Sequence, residues 1–241
     1  MQNSYTALGS LFEYLNYDCD YEKWSQYLIE KLKEQKVGLC GVDIGCGNGY
    51  FTRALYKQGF DICGVDVSAE MLNKAKQIAL QNGANIEFLL GDITKLKLIK
   101  KCDFAVAIND CLNYIPQSKL FSAFSHVAKN LKKGGVFIFD ISSSYKLKNI
   151  LANNLFCDDG EDITYVWFNK LKEDSVEMDL TFFIKGEDGK YTRADEKHLQ
   201  YIHEEDELVS TLQRAGFEVI ATEGHLGKEK TERINFICKK L

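Results

Sequence analysis

One proline in 241 residues leaves no proline-rich spacer between units. No apolar run approaches the ~18–20 residues that a membrane span requires, so no membrane partner is expected. The eight cysteines, at positions 19, 40, 46, 63, 102, 111, 157 and 238, include no CxxC pair. Such scattered spacing supports neither a disulfide framework nor a zinc site. Cys40, Cys63, Cys102 and Cys238 sit in or beside apolar strand-like runs, where a thiol behaves as a small hydrophobe. A reducing, cytoplasmic compartment and no bound metal are expected. A basic surplus is missing too: 30 Lys and Arg against 35 Asp and Glu give a net charge of −5 and a pI near 5.5. Without that surplus there is little to displace counterions from a polyanion. The densest basic stretch, KLKLIKK at 95–101, reads as a solvated edge before a strand. The opening MQNSYTALGSLFEYL lacks a basic stretch followed by an apolar core, so no secretory signal is expected.

What is present falls into two textures. From 37 to 141, short apolar runs alternate with helical patterns. LCGVDI (39–44) precedes YFTRALYKQG (50–59), where Phe51, Ala54, Leu55 and Gln58 keep helical spacing and Gly59 fits a C-terminal stop. DICGVDV (61–67) precedes SAEMLNKAKQIALQNG (68–83), with Ser68 as N-cap and Met71, Leu72, Ala75, Ile78 and Ala79 as the apolar stripe. NIEFLLGDI (85–93) and DFAVAIND (103–110) read as further strands. KLFSAFSHVAKNLKKGG (119–135) reads as a helix closed by glycines, and VFIFDIS (136–142) as a fifth strand. Strands alternating with helices and buried on both faces imply a doubly wound parallel α/β sheet.

After about 150 the period changes to two. Residues 163–203 read as an antiparallel meander of three strands, broken by turn signals at EDS and GEDGK. A helix at 204–217 and strands EVIATE (218–223) and ERINFICKK (232–240) then restore the first texture, so the meander is an insertion. The expected organisation is an N-terminal helical segment (1–36), an α/β domain (37–154 and 204–241), and an inserted antiparallel β-sheet (155–203).

The glycines of VDIGCGNG (42–49) can be weighed against known cradles. No GxxxxGK[ST] run occurs, which excludes a P-loop. A dinucleotide turn is GxGxxG, whereas here the spacing is GxGxG, with Tyr50 where the third glycine would stand. Asp66, about twenty residues after the first glycine, ends the second strand, where a carboxylate can accept from both hydroxyls of an adenosine ribose. Asp43 before the turn suits an ammonium, and Asp92 in GDI suits an adenine amino group.

At these residues the chain resembles the class I methyltransferases that use S-adenosylmethionine. The resemblance runs in order through VDIGCGNG, Asp66 in GVDVS, Met71 in SAEML, GDI, AINDCLNYI and LKKGGVFIFDI, over about residues 37–145, and continues in the last two strands. It implies a seven-stranded Rossmann-like sheet with an antiparallel last strand. The opening segment also resembles a bacterial subgroup in which a tyrosine, an aromatic–acidic pair and a YxxW element cover the methionine end of the cofactor. Tyr5, Tyr21 and Trp24 match, while Phe12–Glu13 stands where that subgroup has Tyr–Asp, and Cys111 where DSLNY-type elements have serine. An antiparallel insertion before the last helix is also typical of it.

Carried over residue by residue, the resemblance implies that Asp43, Gly45 and Gly47 line the methionine portion, with Tyr5 and Trp24 covering it. Asp66 would hold the ribose, Val67 and Met71 pack on the adenine, Asp92 and Ile93 read its edge, and Asn109 lie by the sulfonium. The chemistry implied is an in-line displacement, with alignment, water exclusion and desolvation as the protein's tasks and a base needed only for a protonated acceptor. The reacting end is expected at the C-terminal edges of the strands. That places Asp110, Asn113, Tyr114, Asp140 and Ser142 near the acceptor and Tyr145 just beyond, with Asp110 and Tyr114 as candidate catalytic groups. The insertion, as a roof, would bring His198 or His203 over the site, with His198 favoured as a candidate catalytic group. A small-molecule acceptor is expected rather than nucleic acid or protein. An NAD-dependent oxidoreductase and a non-catalytic S-adenosylmethionine-binding module are the rival functions.

Overall fold

The computed structural model describes residues 20–241; Tyr5 and the Phe12–Glu13 pair lie outside the described residues. Helix α1 (Tyr21–Glu34) starts on Asp20, whose carboxylate accepts the Lys23 N–H at 3.0 Å, and buries Trp24, Leu28 and Leu32 along one stripe. Then follow β1 (Cys40–Ile44), α2 (Tyr50–Lys57), β2 (Asp61–Asp66) and α3 (Ala69–Gln81). Ser68 caps α3 through the Met71 N–H at 3.2 Å, as its position before the apolar stripe predicts. Next come β3 (Phe88–Leu90), β4 (Cys102–Ala107), α4 (Gln117–Asn130) and β5 (Leu131–Ser142). After the second texture, α5 (Glu205–Arg214), β10 (Phe217–Gly224) and β11 (Arg233–Lys240) close the chain.

These strands form a seven-stranded sheet in the order β10-β11-β5-β4-β1-β2-β3, in which β11 runs antiparallel to both of its neighbours. The architecture is α/β, Rossmann-like and doubly wound. Period-two alternation divides β5 between the two layers. Phe137, Phe139 and Ile141 pack with α4 and α5, while Val136 and Ile138 pack with Trp24 and Leu28 of α1 and Phe51 and Leu55 of α2. Fully burying one such side chain is worth about 1.5–3 kcal/mol, so the two stripes of β5 anchor both layers. The chain runs outward from β1 to β3 and returns on the other side of β1 at β4. The switch point, where ligands enter such sheets, therefore lies between the C-terminal ends of β1 and β4.

The second sheet corrects one sequence expectation, its strand count. It has four strands, β6 (Leu155–Asp159), β7 (Ile163–Leu171), β8 (Ser175–Lys185) and β9 (Tyr191–Tyr201), in that order and all antiparallel. The first, LFCDD, is too short and too exposed to show alternation. The glycines at 134 and 135 do not close a helix: α4 ends at Asn130, and KKGG lies within β5. Leu131 pairs with Cys102, and a Cβ on Gly135 would stand 2.9 Å from the Lys132 carbonyl oxygen and 3.0 Å from that of Asp103, so the chain's own bend and the passage of β4 together crowd out a side chain there. No helix among the described residues is long and apolar enough to cross a membrane.

Candidate active site

A cavity of about 660 Å³ opens at the switch point, within the range of small-molecule sites. Its floor is the glycine turn. Gly45 and Gly47 have φ of 71° and 53°, a region where side chains are strained, and a Cβ on Gly45 would overlap Cys111 Sγ. Asp66 ties this turn to the next one. Its Oδ2 accepts the Gly47 N–H and its Oδ1 the Ser68 N–H, both at 2.8 Å. The carboxylate is thus oriented by two backbone donors before any ligand arrives.

Asp43 is buried beneath the turn and accepts the Thr52 hydroxyl at 2.6 Å. Burial pushes its carboxyl up to about 7, against the lowering effect of that hydrogen bond. Met71 and Val67 form an apolar wall, Val67 exposed at the rim. Asp92 also lines the cavity; its Oδ1 accepts both the N–H and the hydroxyl of Thr94 at 2.8 Å, and Ile93 is buried beside it. Those bonds hold Asp92 below the usual carboxylate range in spite of its partial desolvation.

The β4 end of the cavity rests on a turn of two left-handed residues, Asn109 (φ 69°) and Asp110 (φ 63°), residue types that tolerate this conformation. Asp140, fully buried on β5, accepts the Asn109 N–H at 2.6 Å and the Asp110 N–H at 3.1 Å. Arg233 of β11 reaches between the two acids, 2.5 Å from Asp110 Oδ1 and bonded also to Asp140 Oδ2, while its guanidinium lies 4.6 Å over the Trp24 ring. Against the cost of burial, the guanidinium holds Asp110 below the ordinary carboxylate range; Asp140, more deeply buried, is pushed up to about 6. Asn109 lines this end of the cavity, and its Oδ1 is buried with no hydrogen-bond partner among the described residues.

This arrangement corrects several sequence expectations. Asp110 is an ion-paired strut, not a free base. Asp140 and Ser142 are buried, Ser142 donating to Asp110 at 3.0 Å. Asn113 is buried and ties the turn to Ser142 and to the Tyr201 carbonyl, the latter at 3.1 Å. Tyr145 is exposed, away from the cavity lining. Trp24 is fully buried behind the wall, edge-on to Phe51 and His225. It is Tyr21, one helical turn earlier, that reaches the cavity, 4.9 Å from the Tyr50 ring. His203 is buried and bonded to the Leu112 carbonyl, which pins the turn holding Tyr114.

Tyr114 and His198 do meet in the cavity. The Tyr114 hydroxyl is 3.2 Å from His198 Nδ1, and His198 Nε2 is 2.8 Å from Glu196 Oε2. His198 and Glu196 come from β9, so the inserted sheet forms part of the wall. Glu196, Tyr50, Glu70 and Arg233 were not singled out as site residues from the sequence, and Tyr21 only as part of the YxxW element. Glu196 was within reach, because ExH on a strand puts both side chains on one face.

A glycine turn oriented by the acid of the second strand, at the switch point of a seven-stranded sheet with one antiparallel strand, defines the class I methyltransferase architecture. The Methyltransferase domain family model matches residues 42–135. A protein of Geobacillus sp. (strain WCH70) named as a methyltransferase is 34% identical, the match covering 98% of this chain and 100% of the relative. One from Bacillus subtilis (strain 168), similarly named, is 31% identical over 89% of this chain and 87% of its own length. The crystal structure of an S-adenosylmethionine-dependent methyltransferase from Clostridium acetobutylicum superposes with a TM-score of 0.91 at 33% identity, covering 99% of each chain. An amino pentose methyltransferase from Micromonospora echinaspora, solved with S-adenosylmethionine bound, shares the fold at a TM-score of 0.79 and 15% identity, covering 96% of each chain. The chain belongs to the S-adenosylmethionine-dependent methyltransferase family, and S-adenosylmethionine is its cofactor.

Proposed function

We propose that this protein transfers the methyl group to a small-molecule acceptor held between the glycine turn and the inserted sheet, and that the residues expected from the sequence hold the cofactor where they line the cavity. The observation that carries this is the single cavity shared by the turn at 45–49 and by Glu196 and His198 of β9. When bound, S-adenosylmethionine supplies an electrophilic methyl group together with its own leaving group. The lining fits it. Asn109 Oδ1 is a buried acceptor in want of a donor, which an ammonium provides, and Asp43 adds a carboxylate nearby. Gly45 and Gly47 give backbone room, Asp66 offers its remaining lone pairs to ribose hydroxyls, and Val67 and Met71 form an apolar seat for adenine, with Asp92 and Ile93 at its edge. Tyr21 and Tyr50 exclude water from the reacting end.

Residues 37–154 with 204–241 then serve as the transfer domain and 155–203 as an acceptor cap, in a cytoplasmic protein. A small acceptor is supported by the roofed cavity; proteins that share this fold include a sugar N-methyltransferase from Streptoalloteichus sp., 18% identical with a TM-score of 0.78. An NAD-dependent oxidoreductase is not favoured, given the family. Calorimetric titration with S-adenosylhomocysteine and, separately, NADH tests the cofactor assignment: the thioether is expected to bind and NADH not to. Binding of NADH alone would reverse it. Turnover of labelled methyl groups into any small acceptor separates an enzyme from a binding module.

A pH dependence follows from Asp43. In the free protein its carboxyl titrates near 7, and an ammonium brought beside it favours the ionised form. Binding below that pH must then release a proton, so affinity for S-adenosylhomocysteine rises with pH up to about 7 and levels off above. Titrations in two buffers of different ionisation enthalpy should detect the released proton below pH 7 and none well above it. A flat affinity profile would remove Asp43 from the ammonium's surroundings.

A further inference from the structure

The cavity as a whole has an acidic bias. The described residues lining it include Asp43, Asp66, Glu70, Asp92, Glu196 and His198, but no lysine or arginine. Residues 1–19 contain no lysine, arginine or histidine either. Asp43, Asp66 and Asp92 belong to the cofactor end as proposed above, and Glu70 is on the first turn of α3 beside them. Glu196 has no such assignment. Its side chain is only 15% exposed and lies on the inserted sheet, bonded to His198. With Glu196 accepting from Nε2–H, Nδ1 is left as the acceptor for the Tyr114 O–H, a tautomer assigned from these partners. Desolvation pushes the Tyr114 phenol above its ordinary range, so it hands on protons as a neutral group and does not persist as phenolate.

We propose, resting on the methyl-transfer function above, that the acceptor is an amine arriving as its ammonium ion, and that Tyr114, His198 and Glu196 form the relay that takes its proton. The ammonium gives one proton to the Tyr114 oxygen as the tyrosine's own proton passes to His198 Nδ1. Glu196 stabilises the imidazolium so formed. The freed nitrogen pair then makes the C–N bond while the methyl's C–S bond breaks and its electron pair returns to sulfur. Positive charge moves from sulfur to nitrogen, and a neutral thioether leaves. Tyr114 touches the acceptor; His198 and Glu196 position and support it. A carboxylate or phosphate acceptor would meet repulsion and no cation on this wall. An alcohol would need a much stronger base than imidazole.

The test uses protein loaded with S-adenosylhomocysteine and two matched probe sets: butylamine, butanol and butyrate, and phenethylamine, phenethyl alcohol and phenylacetate. Each amine is expected to bind ahead of its isosteres. Glu196→Gln should weaken amine binding by about 10- to 100-fold, the scale of removing a negative charge near a cation in a partly buried site, and leave affinity for the thioether and the alcohols unchanged. Glu196→Asp should restore part of the loss. Tyr114→Phe should lower kcat for methylation of the amines more than it raises KM. Equal or better binding of the carboxylates, indifference of the amines to Glu196→Gln, or no amine bound to the loaded protein would each overturn the proposal while leaving the cofactor assignment intact. Failure of the thioether itself to bind would overturn the methyl-transfer function, and this inference with it.

Discussion

Replacing Asp66 with alanine is expected to weaken S-adenosylhomocysteine binding by about 100- to 1,000-fold, with little change in melting temperature. Two effects combine in that loss. The carboxylate is the group proposed to accept the ribose hydroxyls, and hydrogen bonds to a charged acceptor contribute about 1.5–3 kcal/mol each. It also accepts the Gly47 and Ser68 N–H groups, so its removal frees the glycine turn and the start of α3 at the same time. Asp66→Asn keeps one acceptor oxygen and the side-chain shape, and should lose less than alanine. The carboxylate is only partly buried, so the unfolding midpoint should move by no more than a few degrees. Calorimetry on both variants, beside thermal melts without ligand, checks this. An affinity within threefold of the parent's, in a folded Asp66→Ala protein, would move the ribose elsewhere in the cavity.

Arg233→Met should be the most destabilising single change considered. The guanidinium is 9% exposed and lies between Asp110 and a fully buried Asp140. Removing one partner from such a cluster leaves buried charge uncompensated and costs about 3–5 kcal/mol. In a chain of this size that is a fall of roughly 6–20 °C in melting temperature. The sign of the pH dependence is distinctive. Without the guanidinium both carboxyls are raised above their unfolded values, so the native state binds more protons than the unfolded chain. Stability of the variant then falls as pH rises, and the defect is smallest in acid and largest at neutrality. Adding Asp110→Asn to Arg233→Met should recover part of the loss, because one buried charge is gone. Asp140 holds the backbone of Asn109 and Asp110, so thioether affinity should drop as well. A melting temperature equal to the parent's, or a defect that does not change with pH, would make the cluster a bystander.

Much of this was legible before any coordinates. The β1–α2–β2–α3 order follows from short apolar runs, glycine stops and the Ser68 cap, all of which act within a few residues. Asp66 and the glycines at 45 and 47 could be picked out because a tight turn after a strand allows few residue types. Other features were misread for specific reasons. KKGG looks like a helix stop in isolation; it is strand because the residues on either side of it, Leu131 and Val136, pair with Cys102 and Phe104 of β4. The polar residues after β4 and β5 looked like acceptor contacts because they sit at the ends of parallel strands. Position along a strand does not say whether a side chain faces the cavity or turns back to satisfy backbone donors, and Asn113 and Asp140 do the latter.

The sequence by itself determined the fold class and the glycine turn, because each depends on local periodicity or on spacing along one chain segment, and its ordered motifs carried the resemblance that implied the cofactor. The tertiary structure decided what faces what. Arg233 reaches Asp110 and Asp140 from 123 and 93 residues away, and no local pattern marks it as their partner. Tyr114 meets His198 across 84 residues because the inserted sheet folds back over the switch point. Trp24 and Tyr21, three residues apart on one helix, differ in role only because the second layer of the sheet buries one and leaves the other at the cavity. Long-range pairing of charges and the side to which a helix turns are set by packing, which a linear pattern does not encode.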